Sequence, residues 1–458
     1  MPLIPPDRAF LKQVYKDLAD EPLPPDSPFY EPVYQTLGLD GPVQQIATLI
    51  DFGGVESIRL FSGFRGAGKT TELLRLQRKL EAEGYFVVYA DALKYVNAAE
   101  PIEITDLLMV LAGAFSDALE ERFGSDIARE TYWDRLREFL NREVTVKDAG
   151  LKVETQTPLK EVLGGLKTSL DLRFDLKSAT NFRQSLRPVL ANKLKELKNN
   201  VDKFFEDGIK LIRASHGEDT PVVFIFDQLE QLRGTLQSEP DVIRSVQRIF
   251  ATHVDLLKIP YIHSVFTVPP WLKFVLPNTV QITLLCTVHL WDNDADRSQC
   301  GPAWDVFRSL VKLRLQEEGL QRLFGPEPER QALVDQIIAV CGGHFRDLSR
   351  ILRDVVLRAT ALPSLPVTPS IVTDAINAAR RDFLPIAQDD AKWLADIARV
   401  RASALPSTDA ASVNRLTRFL DSHFVLYFIN GNERYDIHPL IRDEVAEVVK
   451  AASPGAEH

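Results

Sequence analysis

A glycine-rich turn between an apolar strand and a helix constrains this chain more than any other feature. Ile58, Leu60 and Phe61 lead into Gly63-Phe64-Arg65-Gly66-Ala67-Gly68-Lys69-Thr70, and Thr71-Glu72-Leu73-Leu74 continues with good helix formers. This is the G-x-x-x-x-G-K-[ST] pattern in the strand–turn–helix setting it requires. A triphosphate needs many donors at once. Glycines let the backbone wrap inward so that successive N–H groups and the helix N-terminus face phosphate oxygens. Gly63, Arg65, Gly66, Ala67, Gly68, Lys69, Thr70 and Thr71 are therefore the candidate nucleotide-binding residues, with Lys69 reaching the β- and γ-phosphates and the Thr70 hydroxyl ligating Mg²⁺. The competing reading is a chance glycine turn before a helix, but strand, spacing and helix all agree on the first.

The rest of the chain sets limits on function. Its 458 residues suffice for two to four domains. A formal net charge of −10 gives no generic attraction to nucleic acid or anionic membrane. Cys286, Cys300 and Cys341 are widely spaced, without a C-x-x-C or His/Cys ligand pattern, which points away from zinc and from a disulfide framework. The polar, proline-rich start has no signal-peptide pattern, and no apolar run approaches the roughly 20 residues that span a bilayer. A reducing cytoplasm and no membrane contact are the expectation.

Taken in order, Asp7 to Ala19 predicts a short helix, and Pro22, Pro24, Pro25 and Pro28 force an extended stretch after it. That stretch carries Phe29, Tyr30 and Tyr34. Such aromatics either stack on a nucleotide base, with Tyr30 the candidate, or pin the arm to the core. Tyr85 to Ala90 predicts a buried strand, followed by helices at about 104–123 and 127–141. From Val144 to Leu176 the period changes to two, with Val144 and Val146 and then Leu170, Leu172, Phe174 and Leu176, which predicts an inserted β-hairpin. A long charged helix over 185–214 returns the chain to the core.

Pro221-Val222-Val223-Phe224-Ile225-Phe226-Asp227 is an apolar strand ending in an aspartate, at the edge where ligands bind in open α/β sheets. Asp227 becomes the expected second Mg²⁺ ligand, and Glu230 the group that orients or deprotonates the attacking water. Further strands are expected at Tyr261–Thr267 and Gln281–Val288, completing about five. His289 reads as structural, since no nucleophile or metal partner is near it in sequence. Helices then dominate, and Gly342-Gly343-His344-Phe345-Arg346 marks a break between two of them. A cation at a helix start opposes the macrodipole, so Arg346 is better explained by a phosphate than by helix stability.

In this order, the phosphate loop, the strand ending in Asp227, the strand carrying Thr267 and the Gly-Gly-His-Phe-Arg break resemble the nucleotide motifs of AAA+ and the related STAND P-loop ATPases. The resemblance implies ATP and Mg²⁺ as cofactors, Thr267 as a γ-phosphate sensor and Arg346 as the sensor-2 arginine. It also implies catalytic roles for Lys69, Asp227, Glu230, Thr267 and Arg346. AAA+ enzymes usually place Glu directly after the acidic Asp. Here Gln228 stands there and the glutamate is displaced to Glu230, an arrangement closer to STAND switches than to motors.

Near the C-terminus, a helix with Val413, Leu416, Phe419 and Leu420 on one face precedes two strands around Asn430-Gly431, a strong hairpin signal. With a final helix this looks like a winged-helix domain. Between Leu405 and His458 five basic side chains stand against eight acidic ones, a poor balance for DNA, where phosphate neutralisation supplies most non-specific affinity.

The resulting expectation is an α/β P-loop fold with a parallel sheet of about five strands and helices on both faces. It runs as an arm (1–40), an ATPase domain (41–302, insertion about 143–215), a helical lid (303–365) and a helical linker with winged helix (366–458). The function expected is a slowly hydrolysing ATP switch, working as a homo-oligomer or with a protein effector, as in prokaryotic regulation or anti-phage defence. The alternatives are a DNA-binding ATPase resembling replication initiators or transposition regulators, and a scaffold that holds ATP structurally.

Overall fold

Residues 222–227 and 262–268 are buried at every position, as strands covered on both faces by helices must be. They are the inner strands β3 (Val222–Asp227) and β4 (Ile262–Val268) of a five-stranded sheet that also holds β1 (Ser57–Gly63), β2 (Phe86–Asp91) and β5 (Ile282–Leu285). The spatial order is β2-β3-β4-β1-β5, and the β2–β3, β3–β4 and β4–β1 pairings are parallel. The register sets Asp91 opposite Asp227 and Phe61 opposite Thr267. The computed structural model describes residues 5–39, 41–124, 132–147, 180–235, 237–277, 280–292, 297–401, 409–430 and 432–452. The chain divides into two units, one of Val43–Ser62 and Leu73–Thr283 and the other of Met1–Pro42, Gly63–Glu72 and Leu284–His458.

In the first unit, Phe115 and Phe205 meet at 4.8 Å and both pack on Phe224 of β3, at 5.6 and 6.2 Å between ring centroids. Such aromatic clusters carry much of a core's burial energy. Phe115 belongs to a helix over Ile104–Phe123 and Phe205 to one over Leu194–His216.

Two expectations fail in this unit. Val144 and Val146 lie in a helix, Tyr132–Lys147, not in a hairpin. Two valines at i and i+2 are too short a run to fix a period of two against a helix already under way. Leu170, Leu172, Phe174 and Leu176 lie outside the described residues. The expected single helix over 185–214 is two, Thr180–Ala191 and Leu194–His216. Pro188 cannot donate within the first, and the Asn192 side chain donates to the Pro188 carbonyl at 3.0 Å, the acceptor a continuing backbone would need.

In the second unit, helix α1 (Pro5–Asp17) packs on α2 (Gly301–Phe324) and on α4 (Phe345–Ala359), with α3 (Glu329–Cys341) between those two in sequence. Arg322 pairs with Asp7 at 2.7 Å. Gln316 takes φ 60° and kinks α2, and the buried face resumes beyond it at Leu320, Leu323 and Phe324. The chain continues through α5 (Pro369–Arg381), α6 (Gln388–Val400) and α7 (Ala410–Asp421). It then forms the antiparallel strands β6 (Val425–Asn430) and β7 (Asn432–Ile437), and ends in α8 (Arg442–Ala452). The expected hairpin is thus present, with Val425 opposite Ile437. Among the described residues no helix is long and apolar enough to cross a membrane.

Candidate functional site

The candidate site begins where β1 ends. Gly66 and Gly68 hold φ of 86° and 94°, backbone that a side chain would strain, and a 14-residue helix, Lys69–Ala82, opens directly behind them. Ala67 and Lys69 are buried, Thr70 is half-buried and Arg65 is exposed. The Lys69 ammonium donates to the carbonyls of Gly63 and Phe64, both at 3.0 Å, which holds its charge inside the loop. Positive-φ glycines, a helix N-terminus and a buried lysine form a cradle fitted to a polyphosphate.

The aromatic arm is pinned to this loop. Leu23 N–H donates to the Thr71 hydroxyl at 3.0 Å, Tyr30 donates to Glu72 at 3.0 Å and Tyr34 to the Cys286 carbonyl at 2.7 Å. Burial pushes the Tyr34 phenol well above its usual range, and the neighbouring Cys286 and Glu72 push the same way. The Arg314 guanidinium lies over the Phe29 ring at 5.0 Å. Pinned in this way, the arm walls a cavity of about 130 Å³, which Tyr30, Tyr34, Gly66, Gly68, Arg346 and Leu352 line together.

Arg346, in the first turn of α4, reaches this cavity. Its side chain lies against Gly66, where an added Cβ would meet the Arg346 Cβ at 2.5 Å. Its Nε donates to Asp20 of the arm at 2.5 Å. Asp20 is a partner the sequence did not suggest.

A second set of contacts joins the loop to the C-terminal hairpin. His344 is buried, with Nε2 2.9 Å from the Arg65 carbonyl and Nδ1 2.8 Å from Asp347. His438, at the end of β7, accepts from Leu440 N–H on Nδ1 and presents Nε2 to Asp347 at 3.2 Å. Burial alone would raise the Asp347 carboxyl, but His344 and His438 hold it well below the usual carboxylate range. His423, just before β6, packs edge-on against Phe64 at 5.7 Å and against His344 at 4.5 Å. Gly343 lets the turn before α4 lie against the segment after β5, since a Cβ there would strike the Val288 carbonyl.

The other unit holds the remaining expected site residues. Asp227 is fully buried and accepts from the Tyr89 hydroxyl at 2.6 Å and from Gln228 N–H at 2.7 Å. Burial and the adjacent Asp227 raise the Tyr89 phenol far above its ordinary value. Gln228 adopts φ 71° and starts a 3-10 turn, Leu229–Gln231, in which Glu230 sits half-buried. The Thr267 hydroxyl accepts from Leu229 N–H at 3.0 Å, tying the end of β4 to that turn. Tyr89 was missed in the sequence. Its signal was available only as the polar position of an otherwise apolar strand.

Two further details concern the C-terminal part of the chain. The arginines of α7, Arg415 and Arg418, both pair with Asp390 of α6, at 2.5 and 2.7 Å. His289 is not isolated: Cys300 Sγ lies 3.5 Å from its Nε2, although the two are eleven positions apart. Burial, reinforced by Arg434, lowers the His289 imidazole below its ordinary range.

No protein-family model matches the chain, and no curated protein matches it. Solved structures similar to it include the Aeropyrum pernix ORC2 protein in ADPNP–ADP complexes, at 12% identity over 95% of this chain and 96% of that one, with a TM-score of 0.41. They also include Drosophila ORC bound to DNA, at 12% identity over 98% and 94% with a TM-score of 0.39, and the Walker-type ATPase of Pyrococcus abyssi, at 12% over 89% and 94% with 0.36. A five-stranded sheet with parallel inner pairings, a glycine loop opening a helix and a helical C-terminal part give this chain an α/β fold.

Proposed function

We propose that this chain is an ATP-binding switch of the AAA+/STAND type that hydrolyses slowly and couples nucleotide state to assembly or to a protein effector. The observation that carries the reading is the bridge Arg65 carbonyl–His344–Asp347–His438, which links the phosphate loop to the C-terminal helix–hairpin–helix module. A bound phosphate acts on the backbone of this loop, and a loop carbonyl is what His344 reads.

In this reading the loop N–H groups and Lys69 hold the phosphates, Thr70 faces Mg²⁺, and the cavity beside Tyr30 takes the base. Arg346 senses the terminal phosphate in exchange for Asp20. Mg²⁺ supplies charge neutralisation of the phosphates. Asp227, Glu230 and Thr267 carry the hydrolytic part of the proposal, with Tyr89 positioning Asp227. The displaced glutamate favours slow turnover. We read the helix–hairpin–helix module as a winged helix that serves protein contacts, and the pairing of Arg415 and Arg418 with Asp390 supports that over phosphate neutralisation.

The test is ATP turnover and mass by light scattering, for wild type beside Lys69→Ala, with and without a non-hydrolysable ATP analogue. A nucleotide-dependent change of mass that the variant lacks supports the switch. A single mass in every nucleotide state sinks it.

A further inference from the structure

After β5 the chain runs out along Leu290-Trp291-Asp292 and comes back along Ser298-Gln299-Cys300 before α2. The two arms are bridged at Trp291 and Gln299, Asp292 N–H donates to the Ser298 carbonyl at 2.8 Å, and Cys300 N–H donates to the Leu290 carbonyl at 2.9 Å. This clasp fixes three potential ligands. One atom each of His289, Asp292 and Cys300 lies within 4.8 Å of the others, and Cys300 Sγ is 3.5 Å from His289 Nε2.

We propose that His289, Asp292 and Cys300 bind one divalent metal ion of the zinc class. Zinc bonds of about 2.3 Å to sulfur and about 2.0 Å to nitrogen, at a tetrahedral angle, put those two ligand atoms about 3.5 Å apart, close to the separation found. A thiolate and a carboxylate together offset the charge of a divalent ion. Cys300 stands at the N-cap of α2, and Arg434 donates to the Trp291 carbonyl, so both sides of the clasp are held in place. A cavity of about 20 Å³, lined by His289, Asp292 and Arg434, leaves room for one water as fourth ligand, since a water needs about 10–15 Å³. The ion would fasten the arm after β5 to the start of α2. The inference does not depend on the phosphate-loop reading.

The full chain, stripped with a chelator and refilled with Co²⁺ or Zn²⁺, tests this. Wild type is expected to take one equivalent of zinc and, with cobalt, to show a thiolate-to-metal charge-transfer band. Cys300→Ser removes the band, and His289→Ala or Asp292→Asn weakens zinc binding by about tenfold or more. Cys286→Ser leaves the band in place. His344, Asp347 and His423 also come within 4.8 Å of one another, but they offer no thiolate and so give no such band. Wild-type protein without the band overturns the proposal, whatever becomes of the variants, and so does a band that survives Cys300→Ser.

Discussion

The phosphate loop and the end of β3 both carry expected nucleotide chemistry, yet they owe their geometry to different things. The loop is shaped by neighbours in sequence: its positive-φ glycines stand directly before the helix that opens at Lys69. Asp227 is shaped by distant ones. Its hydroxyl donor Tyr89 is 138 positions away, brought in by the β2–β3 pairing. A local motif announces itself in sequence, whereas a carboxylate whose environment is set by strand register does not.

Four substitutions sharpen or break this contrast. The largest effect is expected at Asp347, which serves two histidines while almost fully buried. Asp347→Ala should lower stability by about 3–5 kcal/mol, read from urea unfolding, because it strands His344 on the loop side. The same carboxylate gives a pH test. Its folded pKa is depressed, so its contribution is complete above the unfolded value of about 3.9 and fades as pH falls through the folded one. Wild type should lose this increment on acidification below about pH 4, while Asp347→Ala should have none to lose there.

Next in size is Lys69→Ala, which removes charge-assisted hydrogen bonds to phosphate and should weaken binding of an ATP analogue by about tenfold to a hundredfold in calorimetry. Undiminished affinity would mean that the loop does not hold the phosphates. Tyr89→Phe tests the other region: loss of one hydrogen bond to Asp227 should cost about 1 kcal/mol of stability. A neutral result would show that register delivers Tyr89 to Asp227 without energetic consequence. The smallest effect concerns Asp20→Asn. Freeing Arg346 from a partly exposed ion pair worth about 0.4–1 kcal/mol should tighten analogue binding by about two- to fivefold, and unchanged affinity would argue that Arg346 takes no part in binding.

Much of the fold was legible where one element carries one strong period. β3 and β4 read as continuous apolar runs because both of their faces are covered, and the C-terminal hairpin was marked by its turn residues. The helix through Val144 and the break at Asn192 were not legible, since a few alternating valines and a side chain competing for a backbone carbonyl leave no clear periodic signature. Within the candidate site, the loop, Arg346 and the aromatic arm could be named from sequence, but Asp20, Tyr89 and the His344–Asp347–His438 bridge could not. The same holds for Cys300 beside His289. Each of these pairings joins residues distant in sequence or facing one another only after folding, and packing chooses the partner.

The arm between Leu18 and Tyr34 has a practical consequence. It precedes the glycine loop in sequence yet walls the same cavity through Leu18, Leu23, Phe29 and Tyr30. Between those residues Pro22, Pro24, Asp26 and Pro28 stay exposed. A cut after the exposed Asp26 needs its turn, in which Ser27 N–H donates to the Pro24 carbonyl at 3.0 Å, to open while its neighbours grip the loop. A molecule filling the cavity would tighten that grip and slow the cut, which makes limited digestion after aspartate a label-free gauge of occupancy.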